Sequence, residues 1–373
     1  MLPTMTFAPA TAPPPARLTG SLAFDLPAEL EAGTPPEARG LARDEVRLLV
    51  SYFPRREQVS ATDRIQHSQF RDLPGFLRAG DLLIINTSGT LNAALPARRA
   101  DNTTVRLHLS NRLDTDTWVV EPRQPADKGT LPLFTASAGE CLTLPAGGSA
   151  TLLAPYSEHS EHVRLWRARL DLPARIGRYL QQHGSPIRYN YVPQGWPGSY
   201  YQTVYATRMG SAEMPSAGRA FTPTLMTRLV ARGVLFAPLL LHTGVASLEA
   251  DEPPYPEYFE VPPASARLVN FARENGGRII AVGTTAVRAL ESVADGDGRV
   301  NAGSGWTDLI ITPDRGLRVV NGMLTGFHEP RATHLAMLQT LAGLPHLRQC
   351  YAAALREKYL WHEFGDLHLL LPA

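Results

Sequence analysis

Two cysteines, Cys141 and Cys350, are all that 373 residues contain, far apart and without metal-ligand spacing. A disulfide framework and a thiolate zinc site are therefore excluded, and a reducing cytoplasm is the expected compartment. Net charge is also missing. Lys and Arg number 36 against 35 Asp and Glu, for a formal charge of +1, so no global basic field exists to gather nucleic acid. A nucleic-acid partner would need local patches. The candidates are Arg55 with Arg56, Arg98 with Arg99, and the series Arg164, Arg167, Arg169, Arg175 and Arg178; for each, a solvated face is the plain alternative.

Long apolar runs are lacking as well. Residues 1–18 are rich in Pro, Ala and Thr, without a basic stretch leading into an unbroken apolar one, so they read as neither signal peptide nor membrane span. Residues 1–20 are expected to be a disordered leader. Several catalytic signatures are missing too: a Walker-type phosphate loop, a full dinucleotide fingerprint, His-Glu-x-x-His and a Gly-x-Ser-x-Gly elbow.

What is present is enough apolar residue, 44% of the chain, for a sizeable core and for two domains at this length. Residues 46–52 and 81–86 read as strands and 72–78 as a short helix stopped by Gly80. From about 90 to 170 the character changes to short alternating segments such as Val105-Arg106-Leu107-His108-Leu109, separated by Gly, Pro and Asp turns, as in a small all-β domain. A helix is expected at 173–182. Strands at 235–241, 278–282, 309–311 and 317–320 then alternate with helices at 223–232, 263–275, 285–294, 333–341 and 347–359. The expected fold is mixed α/β. One α/β domain, residues 21–89 and 171–373, is interrupted by an inserted β-barrel at 90–170.

The chemistry-bearing residues fall mostly in the C-terminal half. Gly283-Thr284-Thr285 lies between an apolar strand and a helix, where unpaired backbone N–H groups and Thr hydroxyls either cap the helix or meet a polar ligand. Gly303-Ser304-Gly305-Trp306-Thr307-Asp308 reads as a second turn, with glycines for close approach, a flat Trp face and a carboxylate. His242 closes an apolar run, at the strand end where open α/β sheets bind ligands. His328 lies in a loop with Glu329 and Arg331, running into a helix capped by Thr333. Either histidine also fits a structural role satisfied by backbone. Tyr201 and Gln202, in an aromatic and amide-rich segment, read either as core packing or as a pocket wall able to stack a base or face a cation.

Together these segments resemble the S-adenosylmethionine:tRNA ribosyltransferase-isomerases of queuosine biosynthesis over residues 22–371. The matches are Tyr201-Gln202-Thr203-Val204-Tyr205-Ala206, the run from Ala281 through Gly283-Thr284-Thr285 to Ser292, and Ala302-Gly303-Ser304-Gly305-Trp306-Thr307-Asp308-Leu309. The resemblance implies an α/β domain with an inserted barrel and no metal. It also implies S-adenosylmethionine as co-substrate, its ribosyl group passing to the aminomethyl group of a 7-deazaguanine base in a tRNA anticodon, with adenine and methionine released. In such a reaction the sulfonium acidifies the C5′ hydrogen, a positioned base removes it, adenine leaves and the amine attacks the activated sugar. Carried onto matching positions, the resemblance assigns proton transfer to His242 or His328. Asp308 and Glu291 go to ribose or adenine, Trp306 to stacking, and Thr284, Thr285, Arg288, Thr307, Tyr201 and Gln202 to the binding surface. A cytoplasmic monomer without membrane contact is expected.

The chain also departs from the family pattern. Leu-Asn-Asp-Thr-Arg becomes Ile85-Asn86-Thr87-Ser88-Gly89, and Pro-Thr-Ala-Gly-Leu-His-Phe-Thr becomes Pro215-Ser216-Ala217-Gly218-Arg219-Ala220-Phe221-Thr222. An Asp, an Arg and a His are lost, and the stretch between His242 and Glu260 is short. Two further readings therefore stand beside the tRNA enzyme: a paralogue using S-adenosylmethionine with a small-molecule acceptor, and a nucleoside-binding protein without catalysis.

Overall fold

The computed structural model describes residues 22–54, 64–126, 129–156, 163–245, 255–330 and 332–373. The leader expected at 1–20, the Arg55–Arg56 pair, Arg331 and residues 246–254 of the shortened stretch lie outside these.

Four strands open the chain: β1 (Arg47–Phe53), β2 (Arg64–Gln69), β3 (Leu82–Asn86) and β4 (Ser88–Thr90). Seven more follow without an α-helix: β5 (Ala94–Arg98), β6 (Thr104–Arg112), β7 (Thr117–Pro125), β8 (Thr130–Pro132), β9 (Cys141–Thr143), β10 (Ser149–Pro155) and β11 (Trp166–Asp171). The chain then runs through α1 (Ile176–His183), β12 (Arg208–Ser211), α2 (Pro223–Ala231), β13 (Leu235–Leu241), β14 (Glu257–Val261), α3 (Pro263–Glu274) and β15 (Ile279–Val282). It ends with α4 (Thr284–Ser292), β16 (Gly303–Thr307), β17 (Gly322–Gly326), α5 (Thr333–Ala342), α6 (Leu344–Arg356) and β18 (Leu367–Pro372).

Nine strands form one mixed sheet in the order β16-β14-β13-β3-β15-β17-β18-β1-β2. Its centre, β13-β3-β15-β17, is parallel throughout, which explains why β3 reads as an unbroken apolar run: it is buried on both faces. Alternate residues go to opposite layers. Leu82, Ile84, Ile279 and Ala281 join the core under α3, α4, α5 and α6, while Leu83, Ile85, Ile280 and Val282 pack with Phe221, Leu225 and Leu229 at α2. The second sheet, β11-β10-β9-β5-β6-β7 with β8 appended, closes through β11–β7 pairing into a six-stranded barrel around Trp118, Trp166 and Leu107. The expected mixed α/β fold with an inserted barrel is thus the fold observed. The chain leaves the large sheet at β4 and returns at β12, and these two strands pair in parallel at the junction.

Four local expectations are corrected. Residues 309–311 and 317–320 are not strands. Their backbone groups bond instead to side chains of α4: the Leu309 carbonyl accepts from Arg288, and the N–H groups of Arg318, Val319 and Val320 donate to Glu291. Conversely the Gly303–Thr307 segment, read as a turn, is the edge strand β16 paired antiparallel with β14. The helix expected at 72–78 is a single stretch of 3-10 helix, Phe70–Gly75, with Pro74 inside it removing a backbone donor. At α5 the capping position is Ala332 rather than Thr333.

Candidate active site

Because β13, β3, β15 and β17 run parallel, their carboxyl ends share one edge of the sheet, and each ends in polar or glycine residues. His242-Thr243-Gly244 follows β13, Asn86 ends β3, Gly283-Thr284-Thr285 follows β15, and Phe327-His328 follows β17. This is where an open α/β sheet offers its crevice. Asn86 ties the centre together: its amide donates to the Leu241 carbonyl at 2.9 Å and to Thr285 Oγ1 at 3.2 Å, while its oxygen accepts from Leu241 N and Ser88 N at 3.0 and 3.1 Å. Gly283 starts α4 at φ 89°, in the region that favours glycine, and no Thr side chain caps the helix. The half-buried Thr284 hydroxyl and the first-turn N–H groups of α4 consequently face the edge.

His242 is the most elaborately held group there. Its Nδ1 lies 2.7 Å from Ser88 Oγ, which lies 2.5 Å from Ser211 Oγ, which in turn accepts from Thr243 N at 3.0 Å. The hydroxyl pair can reverse, so either imidazole tautomer is supported. Burial lowers the His242 pKa to about 4, with Arg208 adding to the shift and Glu260 opposing it. The ring is therefore neutral at pH 7. A Cβ at Gly210 would lie 2.3 Å from the ring, so only glycine lets β12 pass this close.

His242 opens a row of aromatic rings. It stacks on Tyr258 with ring centroids 6.2 Å apart, and Tyr258 meets Trp306 edge-on at 6.0 Å. Register explains the row: Tyr258 pairs with Trp306 across β14–β16, and His242 N donates to the Tyr258 carbonyl, so all three rings share a sheet face. All are half-buried. Glu260, on the same face, pairs with Arg208 at 2.5 Å. The barrel walls the site, with Ser110 Oγ accepting from Val245 N at 3.0 Å and Asn111 donating to the Pro256 carbonyl at 3.0 Å.

Other residues expected at the site serve the framework. Arg288 is buried and donates to Glu257 and to the Leu309 and Thr307 carbonyls, clamping α4 onto the edge strands. Both Glu291 oxygens, 2% exposed, are taken by backbone N–H groups of 318–320 and by Arg315. Thr307 bonds Ser292 at 2.6 Å. Gln202 grips both backbone groups of Thr90, and Tyr201 is buried against Phe364. Asp308, just past β16, is exposed. His328 belongs to another part of the edge, bonding Thr325 Oγ1 at 2.9 Å and stacking on His334 at 4.8 Å. Three strand spacings separate it from the end of β13, on the order of 14 Å, so the two histidines do not act on one atom together. The arginine series is broken up as well: Arg164 is buried beside Glu121 at 3.2 Å and Arg99 pairs with Glu140, while Arg98, Arg169, Arg175 and Arg178 are exposed.

Sequence reasoning passed over Ser88, Ser211, Arg208 and Glu260. Ser88 stood in a motif read only for what it had lost. Among the described residues no group of three or more His, Cys, Asp or Glu is placed to hold a metal ion, and no helix is long and apolar enough to cross a membrane.

A mixed α/β protein whose parallel strand ends carry a buried neutral histidine, an aromatic row and a barrel wall is built to bind and act on a small ligand. The chain belongs to the queuosine biosynthesis protein family, whose model matches residues 19–370. It is 35% identical over 360 residues to an S-adenosylmethionine:tRNA ribosyltransferase-isomerase of Symbiobacterium thermophilum, covering 93% of this chain and 98% of that one. The enzyme of the same name from Thermotoga maritima is 32% identical over 357 residues, with the same coverage. A crystal structure of S-adenosylmethionine tRNA ribosyltransferase from Thermotoga maritima matches 94% of this chain and 99% of its own, at 28% identity and a TM-score of 0.49.

Proposed function

We propose that this protein is a cytoplasmic S-adenosylmethionine:tRNA ribosyltransferase-isomerase. On this reading it moves the ribosyl group of S-adenosylmethionine onto a 7-aminomethyl-7-deazaguanine base in a tRNA anticodon loop, giving epoxyqueuosine and releasing adenine and methionine. The catalytic α/β domain comprises residues 21–89 and 171–373, with 90–170 inserted. The observation that carries the reading is His242, neutral, held by the Ser88 hydroxyl, which Ser211 supports in turn, and set at the head of an aromatic row.

A row of π-faces receives both a sulfonium and an adenine, since the cation is drawn to the ring quadrupole and the base stacks. His242 then stands beside the acidified sugar carbon as a neutral base, or as an N–H donor to departing adenine through its other tautomer. The free Thr284 hydroxyl and the N-terminus of α4 suit the methionine carboxylate, and exposed Asp308 suits a ribose hydroxyl. The exposed Arg169, Arg175 and Arg178 are the described candidates for tRNA phosphates. Incubation with S-adenosylmethionine and tRNA carrying the aminomethyl base, followed by nucleoside digestion and mass spectrometry, tests the reading. The epoxyqueuosine mass is expected; an unchanged base overturns it.

A further inference from the structure

The barrel reaches the residues after His242 through two neighbouring side chains of β6, and one of them keeps an unused polar atom. Leu109 stands opposite Val120 of β7 and Arg112 opposite Trp118, so one extra residue is bulged out of β6 between them. Val105, Leu107 and Leu109 belong to the barrel core, and strict alternation would send Asn111 there too. The bulge turns it outward instead, beside Ser110. Ser110 Oγ accepts from Val245 N, and Asn111 Nδ2 donates to the Pro256 carbonyl just ahead of β14. A Cβ on Gly244 would lie 2.7 Å from Ser110 Oγ and 2.9 Å from Asn111 Nδ2, so a glycine is what admits both.

Asn111 is 3% exposed, and its Oδ1 is buried with no hydrogen-bond partner among the described residues. The Pro256 carbonyl fixes the orientation of the amide, because only its nitrogen end can face an acceptor. The oxygen is therefore an acceptor without a donor, which by itself destabilises the fold. Bulges recur beside active sites, where they re-aim a side chain, and this one delivers an oxygen that the fold does not use.

Asn111 lies one step beyond the aromatic row. His242 N donates to the Tyr258 carbonyl, and two residues further along each segment stand Gly244 and Pro256, the residues against which the Asn111 amide packs. No turn or bend interrupts the chain from His242 to Gly244. Residues two apart in extended chain face the same side, about 7 Å on. That span suits a purine with its exocyclic group, lying from His242 to the barrel.

We propose that Asn111 reads the adenine of S-adenosylmethionine, its Oδ1 accepting from the 6-amino group. The inference rests on the function proposed above and deepens it by placing the base. The sugar lies beside His242, the base extends past Tyr258 to the barrel, and the methionine runs the other way, towards Thr284 and the first turn of α4, on a strand two places from β13. Nδ2 has a second hydrogen, which completes the donor and acceptor pair with which an asparagine side chain matches adenine N7 and its amino group. A neutral amide suits a neutral base. An ammonium calls for a carboxylate, and that of Glu257 is already taken by Arg288 and Gly244 N.

Calorimetric binding of three ligands tests the assignment: S-adenosylmethionine, its analogue with hydrogen in place of the 6-amino group, and its analogue without the methionine α-amino group. Wild-type protein should bind the 6-hydrogen analogue about tenfold more weakly than S-adenosylmethionine. In Asn111→Leu the two affinities should come within about twofold of each other, while the penalty for losing the α-amino group stays as in wild type. Asn111→Asp keeps an oxygen acceptor and should keep part of the 6-amino preference, and melting temperatures establish that each variant is folded. Equal wild-type affinity for the first two ligands overturns the proposal, as does a 6-amino preference that survives in folded Asn111→Leu. A change confined to the α-amino penalty would put the methionine rather than the base at Asn111, and overturns it too. If S-adenosylmethionine binds but the tRNA is not modified, the proposed function falls while the 6-amino comparison still decides the subsite; if S-adenosylmethionine does not bind, both fall.

Discussion

At the scale of single residues, position in the sheet separates chemistry from support. Arg288, Glu291 and Thr307 carry the polar groups that a sequence reading assigns to ligand, yet each spends them on backbone or on a neighbouring side chain. His242 keeps one ring nitrogen unassigned, because its Nδ1 is engaged by Ser88. Its place at a strand end was legible in sequence, since an apolar run stopping at a His is a local pattern. The relay was not legible, because Ser88 and Ser211 come from strands 123 residues apart. Ser88→Ala should lower the rate of adenine release about tenfold or more while leaving S-adenosylmethionine affinity within twofold, as measured by single-turnover kinetics and calorimetry. Equal rates would mean that the hydroxyls only fill space.

At the scale of elements, the edge strands β14 and β16 carry two of the three aromatic rings and are held to the body of the protein through α4. The Arg288–Glu257 pair is the clamp, since both side chains are nearly buried and Glu257 also accepts from Gly244 N at 2.8 Å in the loop after His242. Truncating one member of a buried pair leaves its partner's charge uncompensated. Arg288→Ala should therefore cost about 3 kcal/mol of stability by urea unfolding, and weaken S-adenosylmethionine binding although Arg288 touches no ligand. A loss below about 1 kcal/mol would show the clamp to be dispensable. Periodicity found α2 to α6 and the central strands β3, β13 and β15, whose apolar faces are local information, but it missed β17, placing a strand at 317–320 instead. It misassigned 303–320 because edge pairing with β14, and capture of the following loop by Arg288 and Glu291, are decided by residues distant in sequence. The same is true of β4 and β12, three and four residues long, which exist only as each other's partner.

At the scale of the whole molecule, the resemblance extends over both sheets, and composition correctly bounded the architecture: enough apolar residue for two cores, with the barrel announced by its change to short alternating strands. Composition did not disclose how many histidines are buried and neutral. Burial lowers His108 and His368 to about 3 and His242 to about 4, and His328 falls in the same direction. Unfolded, these rings titrate near 6.5. Below that pH the unfolded chain binds more protons than the folded one, so stability should decline steadily as pH falls from about 6.5 towards 4, and stay level for these groups above 6.5. Urea midpoints measured across this range check it; midpoints unchanged down to pH 4.5 would contradict the burial of these rings.

The central claim is that S-adenosylmethionine is consumed at the strand ends around His242, with tRNA as acceptor. The most direct test is the single-turnover rate of adenine release from S-adenosylmethionine, with and without tRNA bearing the aminomethyl base, for wild-type protein and His242→Ala. The account requires release that depends on that tRNA and falls at least a hundredfold in the variant, with its melting temperature preserved. Release that ignores the tRNA, or that survives loss of His242, would contradict it.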